Sequence, residues 1–162
     1  MEFTHIKEGA AQQVDITGKP ITVRRAVASG FIELKPSTIK AIKKGTAEKG
    51  NVLNTARIAA IMASKQTSDI IPLCHQISLT AVNVDFGIKG YAVEAVVEVK
   101  SVGRTGVEME AITGVTVALL TIWDMVKSAE KDETGNYPTT RIYDIKVVQK
   151  EKSAYRHYSL LD

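Results

Sequence analysis

Cysteine is nearly absent from this sequence, since Cys74 is the single one among 162 residues. A lone thiol cannot form an internal disulfide, and it falls short of the several cysteine ligands of structural zinc and iron–sulfur sites. Aromatic residues make up 6% of the chain, too few for the stacking platform on which sheet-based RNA-binding modules hold bases. These shortages exclude a disulfide-stapled fold and a multi-cysteine metal centre, and they argue against RNA recognition.

A strong excess of one charge is also missing, because 21 Lys and Arg residues stand against 18 Asp and Glu, a formal net charge of +3. This mild basic excess suits an anionic small ligand and is too small for a nucleic-acid-binding surface. No signal peptide or long apolar run lies near Met1, so we expect a cytoplasmic protein without membrane contact.

Neither a linker nor an internal repeat interrupts the chain, and its length suits one compact core. We therefore predict a single domain over residues 1–162. The polar segments at 1–14 and 151–162 are expected to be mobile arms of that domain.

The first half of the chain reads as a strand followed by helices. Residues 21–34 are rich in β-formers with a period near two, and Pro36 opens a helical stretch that Gly45 and Gly50 interrupt. Asn51 can cap a second helix, in which small apolar residues recur at helical spacing.

In the second half, two strand-like runs at 77–86 and 91–102 are joined through Gly87 and Gly90 as in a hairpin. A long helix over 106–131 and a last strand over 140–149 follow. The order β-α-β-β-α-β predicts an α+β fold, the ferredoxin-like sandwich with a four-stranded antiparallel sheet and two helices on one face. The bare face of such a sheet favours oligomers.

The long helix is apolar on two sides. Val115, Leu119, Ile122 and Val126 form one side, while Thr113, Val117 and Leu120 lie on the other. A helix that is apolar on two sides is buried on two sides. One side can cover the sheet of its own domain, and the other requires a second layer, most simply a neighbouring subunit.

The end of this helix carries an acid and two ammonium groups, Asp124, Lys127 and Lys131. At about 100° per residue these three side chains fall on one face beside an apolar wall. Their spacing alone also fits a solvated ion pair worth a few tenths of a kcal/mol. The apolar surroundings favour a site at the rim of an interface instead.

The turn 101–106 leads from strand into helix, so that backbone N–H groups, the helix dipole and Arg104 can meet an anion there. An ordinary tight turn is the alternative. Thr105 and Glu108 also match a capping box, which would restrict Glu108 to closing the helix start. No capping rule requires Glu110.

His75 follows Cys74 just before the third strand-like element. As a hydrogen-bond donor to a phosphate, or as a general acid near neutral pH, it is a candidate site residue, although a structural hydrogen bond is the commoner use of a lone histidine. The pair lacks the spaced partners of a metal site, so we predict no metal. Lys19, Arg24, Arg25 and Lys49 could supply positive charge for a polyphosphate.

Four segments of the sequence resemble the molybdenum cofactor biosynthesis protein C family, the cyclic pyranopterin monophosphate synthases. They read VDITGKPITVRRAVASG, AEKGNVLNTARIAA, IIPLCHQISL and VGRTGVEMEAITGVTVALLTIWDMVKSAEKD, and they lie within residues 14–132. Two positions depart from the family pattern, Asn51 where an acidic residue is frequent and Gln76 where proline is common. The first bears on how Lys49 is tuned, and the second on a turn.

The resemblance implies a ferredoxin-like subunit in a homohexamer, a trimer of dimers, with active sites between subunits. The implied reaction converts (8S)-3′,8-cyclo-7,8-dihydroguanosine 5′-triphosphate to cyclic pyranopterin monophosphate and releases pyrophosphate. The positions that match the family's catalytic residues are Asp124, Lys127 and Lys49. The substrate-binding set comprises the matching positions Leu73, Cys74, His75, Met109, Glu110, Glu108, Lys19, Arg24 and Lys131, together with Arg104 from the turn.

These residue types suit the implied chemistry. Rebuilding a purine as a pterin moves protons repeatedly, and we expect a lysine beside other cations to have a lowered pKa that lets it act near neutrality. Positive groups can stabilise the pyrophosphate that leaves when a sugar hydroxyl attacks the α-phosphorus. No redox cofactor is required, and Mg²⁺ with the triphosphate stays open. The alternative function is a non-catalytic ferredoxin-like module that binds a nucleotide or regulates.

Overall fold

The computed structural model of the protein describes residues 6–7 and 9–155. Its strands are β1 (Ile6–Lys7), β2 (Ala10–Ala11), β3 (Thr22–Glu33), β4 (Leu79–Lys89), β5 (Ala92–Gly103) and β6 (Arg141–Ala154). Its helices are α1 (Pro36–Lys44), α2 (Val52–Lys65), α3 (Thr67–Ile70) and α4 (Glu108–Glu130).

The main sheet has four strands in the order β4-β5-β3-β6, and every neighbouring pair is antiparallel. Helices α2 and α4 pack side by side, and both contact the sheet. The predicted α+β ferredoxin-like sandwich is confirmed. Helix α1, the short α3 and the small β1–β2 hairpin are additions to its six basic elements.

The core lies between the sheet and the helices. Alternate residues of β5 are fully buried, namely Val93, Ala95, Val97 and Val99. The α4 side predicted to cover the sheet is buried as well, with Val115, Leu119 and Ile122 at 0% exposure and Val126 at 4%. On the outward side of α4, Leu120 is 52% exposed, so one chain by itself leaves part of the helix uncovered.

Helices α2 and α4 approach closely where both carry small residues. A Cβ placed on Gly114 would lie 2.5 Å from Ser64 Oγ and 3.1 Å from a methyl group of Val97. The Ser64 hydroxyl donates to the Glu110 carbonyl at 3.0 Å. This contact fixes the first turns of α4, and with them the position of Glu110, against the neighbouring helix.

Several predicted boundaries differ from the structure. Gly87 lies inside β4, and the hairpin turns at Gly90, whose φ is +61°. Strand β6 continues past residue 149 to Ala154, so residues 151–154 of the predicted carboxy-terminal arm pair with β3. At the other end, Gln13 of the predicted amino-terminal arm donates to the Cys74 carbonyl at 2.9 Å. Residues 1–5, 8 and 156–162 of the two arms lie outside the described residues.

Helix α4 is long and apolar enough, by length and composition, to cross a membrane. Its packing against β3, β5, β6 and α2 identifies it instead as the central helix of the fold. A core helix covered on one side by a sheet and flanked by a second helix passes the same test of hydropathy.

Candidate active site

A cavity of about 290 Å³ lies at the start of α4. Its lining combines the segment 73–75 with Met109 and Glu110 of α4, and it adds Lys19 and the turn residues Thr105 and Gly106. Six residues of the predicted substrate-binding set meet here, namely Lys19, Leu73, Cys74, His75, Met109 and Glu110. The fold therefore brings together segments that are far apart in sequence, as the resemblance implied.

Glu110 is the acid of this cavity. Its side chain is 3% exposed, and its Oε2 atom is buried without a hydrogen-bond partner among the described residues. Burial raises the pKa of the carboxyl, and the nearby Glu108 charge adds to that rise. The pKa of the Cys74 thiol is raised by burial and by the Glu110 charge. Both pKa values are therefore shifted in the direction that favours the proton-bearing form.

Glu108 does not form the capping box that its spacing from Thr105 allows. The helix begins one residue after Val107, which provides no side-chain cap, and the Glu108 carboxylate accepts from Lys150 Nζ at 2.7 Å. Burial alone would raise the Glu108 pKa, but the hydrogen bond from Lys150 and the charges of Lys150 and Arg24 lower it below its usual value. A Cβ on Gly106 would clash with this carboxylate. Glycine at this position therefore leaves room for the Glu108 side chain beside the turn.

The predicted anion site at the turn 101–106 is therefore partly occupied by the chain itself. The Glu108 carboxylate lies beside Gly106, and Arg104 Nε donates to the Lys19 carbonyl at 3.0 Å. The Nε atom of Arg24 is buried without a hydrogen-bond partner among the described residues. The hydroxyl of Ser101, the cross-strand neighbour of Arg24, is also buried without a hydrogen-bond partner among them. Positive charge is present at this end of the sheet, but an entering anion would have to displace Glu108.

His75 uses one ring nitrogen for a structural contact. Its Nε2 lies 2.7 Å from the Val14 carbonyl oxygen. A carbonyl can only accept, so Nε2 carries the proton in this arrangement. The bond holds the imidazole at the cavity wall and ties residues 13–16 over it, which supports a structural role for Nε2.

A second cluster lies near the other end of α4. The Asp124 carboxylate accepts from Lys127 Nζ at 2.7 Å and from Lys49 Nζ at 3.2 Å. Lys49 comes from the loop before α2, and its ammonium also donates to the Asp124 carbonyl at 2.9 Å. The three residues that match the family's catalytic set are thus in direct contact within one chain.

The sequence-based expectation was a lowered pKa for a lysine of the site, without a choice between Lys49 and Lys127. At Lys127 the hydrogen bond to Asp124 raises the pKa instead. The bonds from Lys127 and Lys49 lower the pKa of Asp124. For Lys127 the expectation is wrong because it counted the neighbouring cations and omitted the Asp124 carboxylate, which accepts from the ammonium at 2.7 Å.

Lys131 is separate from this cluster. Helix α4 ends at Glu130, and Lys131 takes an extended conformation after it, where its carbonyl accepts from Lys35 Nζ at 2.8 Å. We predicted that Asp124, Lys127 and Lys131 converge at the helix end. Among the described contacts, Asp124 and Lys127 meet, and Lys131 does not join them.

The cavity and the cluster are far apart within one chain. Glu110 and Asp124 lie about four turns apart on α4, a distance of about 21 Å at the rise of an α-helix. Four of the predicted site residues that could meet a phosphate divide accordingly. His75 and Arg104 lie near the cavity, Lys49 lies in the cluster, and Lys131 lies beyond the helix end.

Sequence reasoning missed Lys150 and Tyr137. Lys150 reaches Glu108 because β6 pairs with β3 in one register. Tyr137 lies against Trp123, with ring centroids 5.5 Å apart and planes at 71°. No local pattern identifies either contact, since each depends on where a segment returns to the helix. Among residues 6–7 and 9–155, no group of three or more His, Cys, Asp or Glu side chains is arranged to hold a metal ion.

Comparison with known proteins gives consistent matches. The model of the MoaC family matches residues 13–153. A protein of Methanococcoides burtonii is 63% identical over 151 residues, 93% of this chain and 95% of its own. One of Methanoregula boonei is 62% identical over 152 residues, 94% of this chain and 98% of its own. One of Pyrococcus abyssi is 55% identical over 151 residues, 93% of this chain and 95% of its own. All three are named probable cyclic pyranopterin monophosphate synthase.

Proposed function

The chain belongs to the MoaC family, and from this premise we propose that it converts (8S)-3′,8-cyclo-7,8-dihydroguanosine 5′-triphosphate to cyclic pyranopterin monophosphate and pyrophosphate. The protein is then a lyase of molybdenum cofactor biosynthesis. The family match over residues 13–153 is the observation that carries this function. The geometry supports it by joining the cavity-lining segments at the start of α4 and the Lys49, Asp124 and Lys127 side chains near its end.

The cavity suits the base end of the substrate. A volume of about 290 Å³ is at the lower limit for ligand pockets, so it takes a bicyclic ring more readily than a whole nucleoside triphosphate. When protonated, Glu110 and Cys74 are donors toward ring nitrogens and carbonyl oxygens, and the pKa of each is shifted upward. Leu73 and Met109 supply apolar contact.

The triphosphate then extends from the cavity toward positive charge. Lys19 lines the cavity, Arg104 contacts Lys19, and Arg24 and Lys150 lie near Glu108, whose carboxylate the phosphates displace. Attack of the sugar hydroxyl on the α-phosphorus breaks the bond to the β-phosphate, and these cations stabilise the pyrophosphate that departs. Lys131 belongs to this set in the assembled protein. We propose no protein-bound metal or redox cofactor, and Mg²⁺ would travel with the triphosphate.

The acid–base chemistry falls to the cluster of Asp124, Lys127 and Lys49. Because Lys127 has a raised pKa and Asp124 a lowered one, the resting cluster holds a protonated Lys127 beside an ionised Asp124. In that state Lys127 is the general acid that protonates the opening ring, and Asp124 holds its ammonium in place.

Two subunits are needed to build one complete site. A single substrate cannot span the distance of about 21 Å along α4 between Glu110 and Asp124. A neighbouring chain that brings its own cluster to this cavity closes the gap, and the exposed Leu120 side of α4 offers an apolar contact for it. We propose the homohexamer, a trimer of dimers, as the assembly, acting in the cytoplasm on a small molecule, without nucleic acid or membrane.

The test is incubation of the protein with the cyclised GTP intermediate and, separately, with GTP. We expect the pterin product and one equivalent of pyrophosphate from the intermediate, and neither product from GTP. A matched Lys127→Ala protein of the same oligomeric state should form neither product from either compound. Tight binding of the intermediate by the unaltered protein, without release of pyrophosphate, would instead favour the non-catalytic nucleotide-binding or regulatory module.

A further inference from the structure

Three cationic side chains lie together on the inward face of the main sheet, at the end near the start of α4. In the pairing of β3 with β6, Arg24 lies opposite Lys152 and Ala26 lies opposite Lys150. Ala26 is fully buried, and residues that are paired across strands, or two apart on one strand, point to the same face. Arg24, Lys150 and Lys152 therefore form one cationic face on the inward side of the sheet.

The Glu108 carboxylate is the acid that meets this cationic face. Its Oε1 accepts from Lys150 Nζ at 2.7 Å, and its Oε2 lies so close to Gly106 that a Cβ there would be 1.9 Å away. The ion pair is open to solvent, since 71% of the Lys150 side chain and 28% of the Glu108 side chain are accessible. An exposed pair of this kind contributes little stability, so a ligand from solution can displace the carboxylate at low cost.

The chain leaves the polar groups of the cationic face partly unsatisfied. Within residues 6–7 and 9–155, Arg24 Nε and the hydroxyl of Ser101 are buried without hydrogen-bond partners, and Ser101 lies opposite Arg24 in the pairing of β3 with β5. Buried polar groups are rarely left in this state. The carboxylate of Glu108 also carries less charge than the three cations together, so the cationic face retains positive charge for an incoming anion.

We propose that Glu108 is an internal competitor for phosphate, which holds the cationic face in the free protein, leaves it when the triphosphate enters and returns as pyrophosphate departs. The inference rests on the proposed function, which supplies both ligands. The competitor lies beside the cavity, because Thr105 and Gly106 line the cavity and the Glu108 carboxylate is adjacent to Gly106. Phosphates of a substrate whose base fills the cavity therefore reach the position that this carboxylate occupies.

The substrate and the leaving group meet this competitor with different binding energies. The triphosphate is still joined to the base, so contacts of the base in the cavity offset the cost of displacing Glu108. Pyrophosphate has lost that connection once the sugar hydroxyl has replaced it on the α-phosphorus. Glu108 is tethered next to Lys150 and acts at a high effective concentration. Its return therefore favours the release of pyrophosphate over rebinding.

The test is titration of inorganic pyrophosphate by isothermal calorimetry, at low salt and without magnesium. Glu108→Gln keeps the shape of the side chain and removes its charge, so we expect about three- to tenfold tighter binding than in the unaltered protein. Glu133→Gln, exposed in the loop after α4, should bind as the unaltered protein does. Equal or weaker binding by Glu108→Gln, or no binding by any of the three proteins, overturns the proposal. The measurement requires no turnover, so its outcome is separate from that of the proposed function.

Further comparisons locate the effect. Because Glu108 competes by pairing with Lys150, the gain from Glu108→Gln should be smaller in a Lys150→Ala background. Lys152→Ala should weaken pyrophosphate binding at least about threefold, whereas Lys43→Ala, which removes the same charge from an exposed position of α1, should not. Guanosine carries no phosphate and should bind the unaltered protein and Glu108→Gln equally. An equal gain for guanosine, equal gains in both backgrounds, or an unaltered affinity in Lys152→Ala overturns the role of Glu108 as a competitor for phosphate.

Discussion

At the residue scale, Asp124 is the group on which both neighbouring lysines converge. It is exposed in a single chain, with 59% of its side chain accessible, and its side-chain contacts are the ammonium groups of Lys49 and Lys127. Exposed ion pairs of this kind add little to folding stability, so Asp124 can be substituted without unfolding the protein.

We expect Asp124→Asn to lower kcat by at least about a hundredfold, a typical effect of losing one acid–base group. The amide cannot hold the Lys127 ammonium as an ion pair, so Lys127 loses the partner that raises its pKa. Steady-state kinetics give kcat, and circular dichroism gives the fold. Asp85→Asn, an exposed change on β4, is the control. A folded Asp124→Asn protein with near-normal kcat would remove Asp124 from the mechanism.

The buried Glu110 carboxyl should make the stability of the protein depend on pH. Its pKa is raised in the folded state, so the folded protein binds this proton more tightly than the unfolded chain does. Stability should then fall as the pH rises through the window that starts at the usual pKa of about 4.5 and ends at the raised value.

In Glu110→Gln this loss should vanish, because the amide carries no charge to bury. The measurement is the melting temperature of both proteins between pH 4 and pH 8, with the exposed Glu133→Gln as control. Parallel curves for the unaltered protein and Glu110→Gln would show that the buried carboxyl does not titrate in this range.

At the scale of elements, the contact between α2 and α4 determines where the cavity forms. Gly114 allows the two helices to approach closely, and at this approach the Ser64 hydroxyl of α2 donates to the Glu110 carbonyl of α4. Because the first turn of α4 carries Met109 and Glu110, a shift of the two helices would move the cavity wall as well as cost stability.

Gly114→Ala should destabilise the protein by about 1–3 kcal/mol, the usual cost of overpacking. Its Cβ would lie 2.5 Å from Ser64 Oγ, so the double variant with Ser64→Ala should lose less than the sum of the two single losses. Urea unfolding at one fixed protein concentration measures this coupling. Gly103→Ala, whose Cβ has its nearest contact at 3.9 Å, is the control. Additive losses would contradict the steric explanation.

At the scale of the whole molecule, apolar side chains remain exposed on the helical layer. Leu120 of α4 is 52% exposed, and Ile58 and Met62 of α2 are 56% and 53% exposed. Apolar area left uncovered in this way is typical of a surface that meets another subunit.

Leu120→Glu should weaken assembly, because a carboxylate in an apolar contact must lose its hydration. Light scattering at micromolar concentration should show smaller species than for the unaltered protein. Lys40→Glu places the same carboxylate on an exposed position of α1, with a larger change of net charge, and should leave assembly intact. A protein that is monomeric without any substitution would contradict both the assembly and the shared site.

The shared site can be tested by complementation. We expect His75→Ala and Lys127→Ala to be nearly inactive alone and to regain activity when they are refolded together. A site built from two subunits is intact in about one quarter of random pairings, those that combine the unaltered cavity of one variant with the unaltered cluster of the other. No recovery in mixed oligomers, verified by differential tagging, would place the whole site within one chain.

The sequence by itself determined the order of the main elements and the inward side of α4, and the family resemblance identified the segments of the candidate site. These properties are local, since the side-chain periods of about 3.6 and 2 residues show which face of a helix or strand is apolar. Val115, Leu119 and Ile122 are buried as that period predicts, and Lys49, Asp124 and Lys127 meet as the family motifs imply.

Only the tertiary structure decided which distant residues touch. The pairing of β6 with β3 brings Lys150 to Glu108, and the loop after α4 brings Tyr137 to Trp123. Neither contact is encoded in a local pattern, because both depend on long-range register and on the path of a loop. The pKa shift of Lys127 is local in origin, since its largest cause is Asp124 three residues earlier on α4, whereas the contact of Lys49 with the same carboxylate depends on how the loop before α2 folds back onto the helix.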